Sequence, residues 1–339
     1  MEPPLISWRR LPWFDRAGQF SWLKTLCLLG VIAPGLWVAI AWFLADQHAP
    51  QAIGAGSLAG GIGAGIGNSA LGNGALGNSA AGGGVLPLGA MPVTEALHQI
   101  GLWAIRLLLI TLAITPLRRI GAWPRLMLLR RMLGVAAFAY AAIHLTIYIV
   151  QQHFRLGFVA SEILLRFYLT IGFVTLLGLL ALAVTSTDRM MRRLGGRNWQ
   201  RLHYLAYPIA ALGLFHFFLQ SKANVTEAAL TTGFFYWLML YRLAYRWNRE
   251  RALALWQLAV LAVAAGLATA LGEAAWYQFA TGLGGSRILL ADLRFAFHIR
   301  PCWWVLAAGL AMVPLKLAAD RFWGAKKKRQ GMRPAVSTT

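Results

Sequence analysis

Apolar residues gather into long runs, separated by short stretches rich in arginine. A run of roughly 20 apolar residues is what a helix needs to cross a bilayer core. About eight spans are read on that criterion, at 22–44, 97–114, 132–152, 167–185, 202–219, 231–247, 253–278 and 302–319. No stretch alternates with the two-residue period of a strand, which argues against a membrane β-barrel. The pattern predicts an all-α, polytopic transmembrane helical bundle. The first span is too long for the core of a signal peptide and lacks a small-residue cleavage site, so it reads as retained.

Composition agrees: 58% of the 339 residues are hydrophobic and 13% charged. The formal charge of +21 would suggest nucleic acid in a soluble protein. Here the basic residues fall in alternate loops, where they set topology and meet anionic lipid, so no nucleic acid is expected. The N-terminal segment 1–21 carries Arg9, Arg10 and Arg16. Arg118, Arg119, Arg125, Arg130 and Arg131 follow the second span, and Arg189, Arg192, Arg193, Arg197 and Arg201 the fourth. Arg249 and Arg251 follow the sixth, and Lys326, Lys327, Lys328 and Arg329 lie in the tail 322–339. The positive-inside rule then puts both termini in the cytoplasm. The outside loop 45–96 has no Lys or Arg and is dense in glycine, which predicts a flexible linker. Its GxG units have no preceding strand and no GK[ST], so a phosphate-cradling loop is not supported. The outside loop 279–301, with Arg287, Arg294, Arg300 and Asp292, is expected at the interface or against a partner. Cys27 and Cys302 form no metal or disulfide pattern.

An ionisable side chain at membrane depth is costly, so His144, His203 and His216 carry the chemical interest. At 1.5 Å per residue His144 lies roughly 18 Å, and His216 roughly 21 Å, from the cytoplasmic face, on helices running the same way. Two imidazoles at matched depth can clamp one haem iron; the bland alternative is a pair of hydrogen-bonded bundle histidines. His203 lies thirteen residues before His216, on a side of an ideal helix turned about 140° away, with Pro208 between them. The third span has no histidine at its depth; the position fourteen before His144 is Arg130. His203 therefore reads as ligand to a second haem, flavin contact or interfacial residue. Arg106, mid-span, needs an anionic partner, for which a haem propionate, a flavin phosphate or a quinone oxygen would serve; packing against a carbonyl is the alternative. His98 opens the second span as a ligand, a quinone contact or an interfacial histidine. His48, His153 and His298 read as solvated, and Arg166 and Tyr168 as interfacial anchors. Glu273 is the one carboxylate placed inside a span, which argues against a proton-coupled transporter. No GxSxG or HExxH occurs.

The segments EALHQIGLWAIRLLLITLAITPLRR, RRMLGVAAFAYAAIHLTIYI, RFYLTIGF and LALAVTSTDRMMRRLGGRNWQRLHYLAYPIAALGLFHFFLQSK carry a family likeness. They resemble the MsrQ (YedZ) family, haem-binding membrane subunits of bacterial methionine sulfoxide reductase systems, within the ferric-reductase-like transmembrane proteins. The likeness covers roughly 20–250. It implies a multi-pass b-type cytochrome of the bacterial inner membrane, taking electrons from quinol or a cytosolic flavin reductase. It implies delivery to MsrP, a periplasmic molybdopterin enzyme that repairs oxidised envelope proteins, and FMN as a second cofactor. The family's histidines fall on His144, His203 and His216, with His98 matching a further one. The wider relatives place two histidine pairs on the third and fifth spans; this chain keeps the outer pair and one member of the inner pair.

The expected organisation is a ferric-reductase-like six-helix core at 22–250, an additional transmembrane pair at 251–321, and the basic tail. At least one haem b is expected, and two if His203 finds a partner. No nucleotide-binding domain follows the bundle, so a separate donor is expected, and the chain reads as an electron-transfer subunit rather than the catalytic one. The rivals are a self-contained ferric or oxygen reductase, and a haem-free transporter or scaffold.

Overall fold

A computed structural model describes residues 21–56, 92–221, 224–295 and 299–331. Most of the loop expected at 45–96, the N-terminal segment, the end of the tail, His298 and the side chain of His48 lie outside the described residues. Within them the chain is helical and no strand is present. The long helices are α1 (Trp22–Gly56), α2 (Pro92–Ile120), α3 (Arg130–Gln151), α5 (Phe167–Val184), α8 (Ala206–Gln220), α9 (Thr226–Trp247), α10 (Leu255–Trp276), α12 (Pro301–Leu310) and α13 (Met312–Gly331). Short helices α4 (Leu156–Leu165), α6 (Asp188–Leu194), α7 (Gly196–His203) and α11 (Gly285–Leu293) connect them.

Among the described residues, seven stretches are long and apolar enough to cross a membrane, and they coincide with seven of the expected spans. The expected span at 231–247 exists as the 22-residue α9 but is not among the seven. It packs against α2, α8, α10 and α12, so much of its surface meets protein, where polar residues are tolerated. The expected loop after the third span is partly the apolar helix α4.

Helices α2, α3, α5 and α8 pack in a closed ring: α2 on α3, α3 on α5, α5 on α8 and α8 on α2. The diagonal partners α3 and α8 share at most a marginal contact. A second group, α9, α10 and α12, docks on this ring through α9. Small residues let its backbones approach, as membrane helices require in the absence of a hydrophobic drive. A Cβ on Gly233 would stand 2.5 Å from Val305 Cγ2, and one on Gly309 would stand 2.7 Å from Ala262 Cβ.

Prolines shape three of the spans. Proline leaves the carbonyl four residues earlier without its helical donor. For Pro116 that carbonyl is Leu112 O, and Arg242 Nη2 of α9 donates to it at 2.5 Å. The same guanidinium donates to Leu238 O at 2.9 Å and to the Tyr207 hydroxyl at 3.2 Å, so a charged residue inside the bundle is held by neutral oxygens. Pro208 and Pro314 lie four residues after Tyr204 and Leu310, and the helix breaks there: α7 gives way to α8, and α12 to α13. The span expected at 202–219 is therefore interrupted immediately after His203.

Candidate functional site

His144 and His216 stand on the diagonal helices α3 and α8 of the ring, within electrostatic reach of each other. Each ring is fixed by the neighbouring helix. His144 Nδ1–H donates to Leu97 O of α2 at 2.9 Å, and His216 Nδ1–H donates to Tyr168 O of α5 at 2.8 Å. A carbonyl can only accept, so the proton of each neutral imidazole sits on Nδ1 and the lone pair on Nε2. Among the described residues no group hydrogen-bonds either Nε2.

Both imidazoles also lie against a glycine four residues beyond the accepting carbonyl. A Cβ on Gly101 would come within 2.8 Å of His144 Nδ1, and one on Gly172 within 2.7 Å of His216 Cε1. The two sites are thus copies of one device: a helix carbonyl at position i, a glycine at i+4, and the imidazole of the next helix seated on both. Orientation of a ligating histidine by a hydrogen bond from its other nitrogen is the common way proteins present Nε2 to a metal. Two imidazoles suit a metal whose remaining ligands come from a macrocycle, and the residues present fit a haem. Among the described residues, no group of three or more His, Cys, Asp or Glu side chains forms a metal cage of another kind.

The other candidates are placed differently. His203 ends α7, stacked on Trp199 with ring centroids 3.8 Å apart. Its Nδ1–H donates to Trp199 O at 3.0 Å, and its Nε2 is 3.4 Å from Ser186 Oγ, whose own proton goes to Leu182 O. Arg130 lies within its electrostatic reach, and among the described residues no second imidazole is brought to it. His98 is exposed on α2, next to Leu97, and within electrostatic reach of His144. Arg106 Nη2 pairs with Glu227 Oε2 at 3.0 Å and lies 5.2 Å from the Trp103 ring. Glu227 opens α9 and was not foreseen as that partner. Arg166 pairs with Glu162 and donates to the Tyr168 hydroxyl at 3.1 Å, beside the carbonyl that holds His216.

Sequence reasoning missed Gly101, Gly172 and the two accepting carbonyls. A signal existed: each glycine is isolated in an apolar helical run and follows isoleucine, and an isolated helix glycine usually has a packing reason. It also missed Asp292 as a buried carboxylate. Asp292 and Glu273 are 0% and 1% exposed, and Arg300 lies 3.6 Å and 3.7 Å from them.

The ferric reductase like transmembrane component family matches residues 100–214, a stretch that holds His144 and His203 and ends two residues before His216. Curated relatives named "Protein-methionine-sulfoxide reductase heme-binding subunit MsrQ" match about half of the chain. The protein of that name from Xanthomonas campestris pv. campestris is 48% identical over 168 residues, 49% of this chain and 76% of the relative. The one from Rhodospirillum rubrum is 41% identical over 164 residues, 48% of this chain and 79% of the relative. No solved structure matches. With that identity over most of the relatives' length, and the family match at 100–214, the chain belongs to the MsrQ family of ferric-reductase-like membrane proteins.

Proposed function

We propose that this chain is a b-type cytochrome of the bacterial inner membrane, with His144 and His216 as the axial ligands of one haem. The observation that carries the reading is the duplicated seat, in which Leu97 O with Gly101, and Tyr168 O with Gly172, turn two Nε2 atoms free of protein partners. The relatives' printed name, a haem-binding subunit, supports it. Haem bound there supplies one-electron chemistry. The residues set the ligand geometry: the Nδ1–H bonds fix the ring planes and raise imidazole basicity, and the bundle keeps the site low in dielectric. His203 reads as a contact residue at the cytoplasmic end of the ring rather than as half of a second ligand pair, because its charged neighbour is Arg130. Arg106 and His98 line the opposite end, near the ligand seat on α2; there Arg106 serves a propionate only by sharing its pairing with Glu227.

The chain takes electrons from quinol or a cytosolic flavin reductase, with FMN as an additional cofactor in the second case. It hands them to the periplasmic molybdopterin reductase MsrP, which repairs oxidised methionine in envelope proteins. It is the electron-transfer subunit; catalysis belongs to the partner. The core lies at 22–250, with the pair 251–321 as an addition. A pyridine haemochrome assay on the purified chain is expected to give haem b. His144→Ala and His216→Ala are each expected to abolish the low-spin spectrum, and unchanged spectra in both would remove the assignment. Reduction of ferric chelates without any periplasmic partner would favour a self-contained reductase instead.

A further inference from the structure

A cavity of about 420 Å³ opens between α8, α9 and α10, outside the histidine ring. Ala211, Leu214, Phe215 and Phe218 supply the α8 wall. Their spacing is a single helical stripe, and His216 projects from the opposite side of the same helix, toward α5. One helix thus separates the cavity from the ligand seat. Phe235 and Tyr236 of α9 and Trp276 of α10 complete a largely aromatic lining.

Three polar side chains that line this cavity have no hydrogen-bond partner: Thr232 Oγ1, Trp276 Nε1 and both carboxylate oxygens of Glu273. Buried polar groups are ordinarily paired, and three orphans around one cavity signal a ligand's own polar atoms. Glu273 is 1% exposed, and Arg300 Nη1 stands 3.7 Å from its Oε1, beyond hydrogen-bond reach. The set offers an acceptor in Glu273, a donor in Trp276 and a hydroxyl that serves as either in Thr232. No lysine or arginine lines the cavity, which disfavours a phospholipid headgroup or any other anion. Aromatic walls at bilayer depth favour a flat, uncharged ring with an apolar tail.

We infer that this cavity is a binding site for a quinol, its ring between the aromatic side chains and its hydroxyl donating to Glu273, with Thr232 and Trp276 completing the polar contacts. The site uses α10, from the helical pair beyond the six-helix core. Its role as the point of electron entry rests on the haem reading above; binding itself does not.

The test is photolabelling of the full chain in lipid nanodiscs with an azido-substituted short-chain ubiquinol, kept reduced until photolysis, mapped by mass spectrometry and competed with decylubiquinol. Label is expected on the α8, α9 and α10 segments that line the cavity, and is expected to be lost with excess decylubiquinol. Glu273→Gln replaces a charged acceptor by a weaker neutral amide oxygen, and Thr232→Val removes the hydroxyl. Ala211→Phe fills the cavity from an exposed α8 position and leaves the Glu273–Arg300 pairing intact. Labelling is expected to fall about tenfold or more in Glu273→Gln and Ala211→Phe, with an unaltered Soret band. Label elsewhere, label that decylubiquinol does not displace, or equal labelling in both variants would overturn the site. Specific label in a chain that shows no Soret absorbance would keep the site and remove the haem reading, so the two fail separately.

Discussion

Gly101 and Gly172 do at the residue scale what no larger side chain could. A methyl group at either would meet an imidazole at under 3 Å, so the ring would have to move. Overpacking of this kind costs about 1–3 kcal/mol, and here the strain falls on an imidazole proposed as a haem ligand. Gly101→Ala and Gly172→Ala are each expected to weaken or shift the low-spin haem spectrum. Gly157→Ala, where a Cβ meets nothing within 4 Å, is expected to leave it alone. Optical titration of haem onto the three variants decides this. Asp292 gives a second residue-scale prediction. Burial pushes its carboxyl up to about 6, against an opposing pull from Arg300. Glu273, Arg300 and Cys302 are the ionisable groups around it. A raised carboxylate value means the folded chain binds more protons than the unfolded one, so stability falls as pH climbs from about 4 through about 6. Thermal unfolding of Asp292→Asn is expected to lack that decline, so the two curves diverge toward neutral pH.

The helices themselves depend on side chains that repair their backbones. In α1, Tyr140 of α3 inserts its hydroxyl between Val31 O, to which it donates at 2.5 Å, and Gly35 N–H, from which it accepts at 2.9 Å. These two groups are four residues apart and would ordinarily bond each other, with Pro34 between them. Tyr140→Phe would strand both inside the bundle. A loss of about 1–3 kcal/mol is expected, confined to the docking of α1, and amide exchange at Gly35 in the variant is the readout. Arg242 plays the corresponding part for Pro116 in α2. Such repair is obligatory in lipid, where water cannot take the freed groups.

Among the described residues two groups of helices stand out, with α1 and α13 packed beside them. The ring α2, α3, α5 and α8 holds the histidines, and α9, α10 and α12 form a small-residue cluster beside it. Helix α9 joins the two, which accounts for its polar character. The alternation of basic loops predicts that both ends lie on the cytoplasmic side. A fused reporter active only outside the cytoplasm is expected to work within 45–96 and to be silent on the tail at 322–339. The opposite pattern would reverse the direction of electron flow proposed above.

The all-helical character, seven of the eight expected spans and the matched histidines were legible in the sequence because each is a property of composition and spacing along one helix. Burial in lipid makes hydrophobic run length nearly sufficient to locate a span, and a histidine at depth stands out against it. Other features depend on which helices become neighbours. The carbonyls of Leu97 and Tyr168, the glycine seats, the pairing of Arg106 with Glu227 and the cavity beside Glu273 each join segments far apart in the chain. The break after His203 was readable only in part, since Pro208 marks where a helical bond is lost but not what becomes of the freed carbonyl. Local pattern determined the crossings; contact between helices decided the chemistry, because hydrogen bonds and close packing are set by partners that no single helix contains.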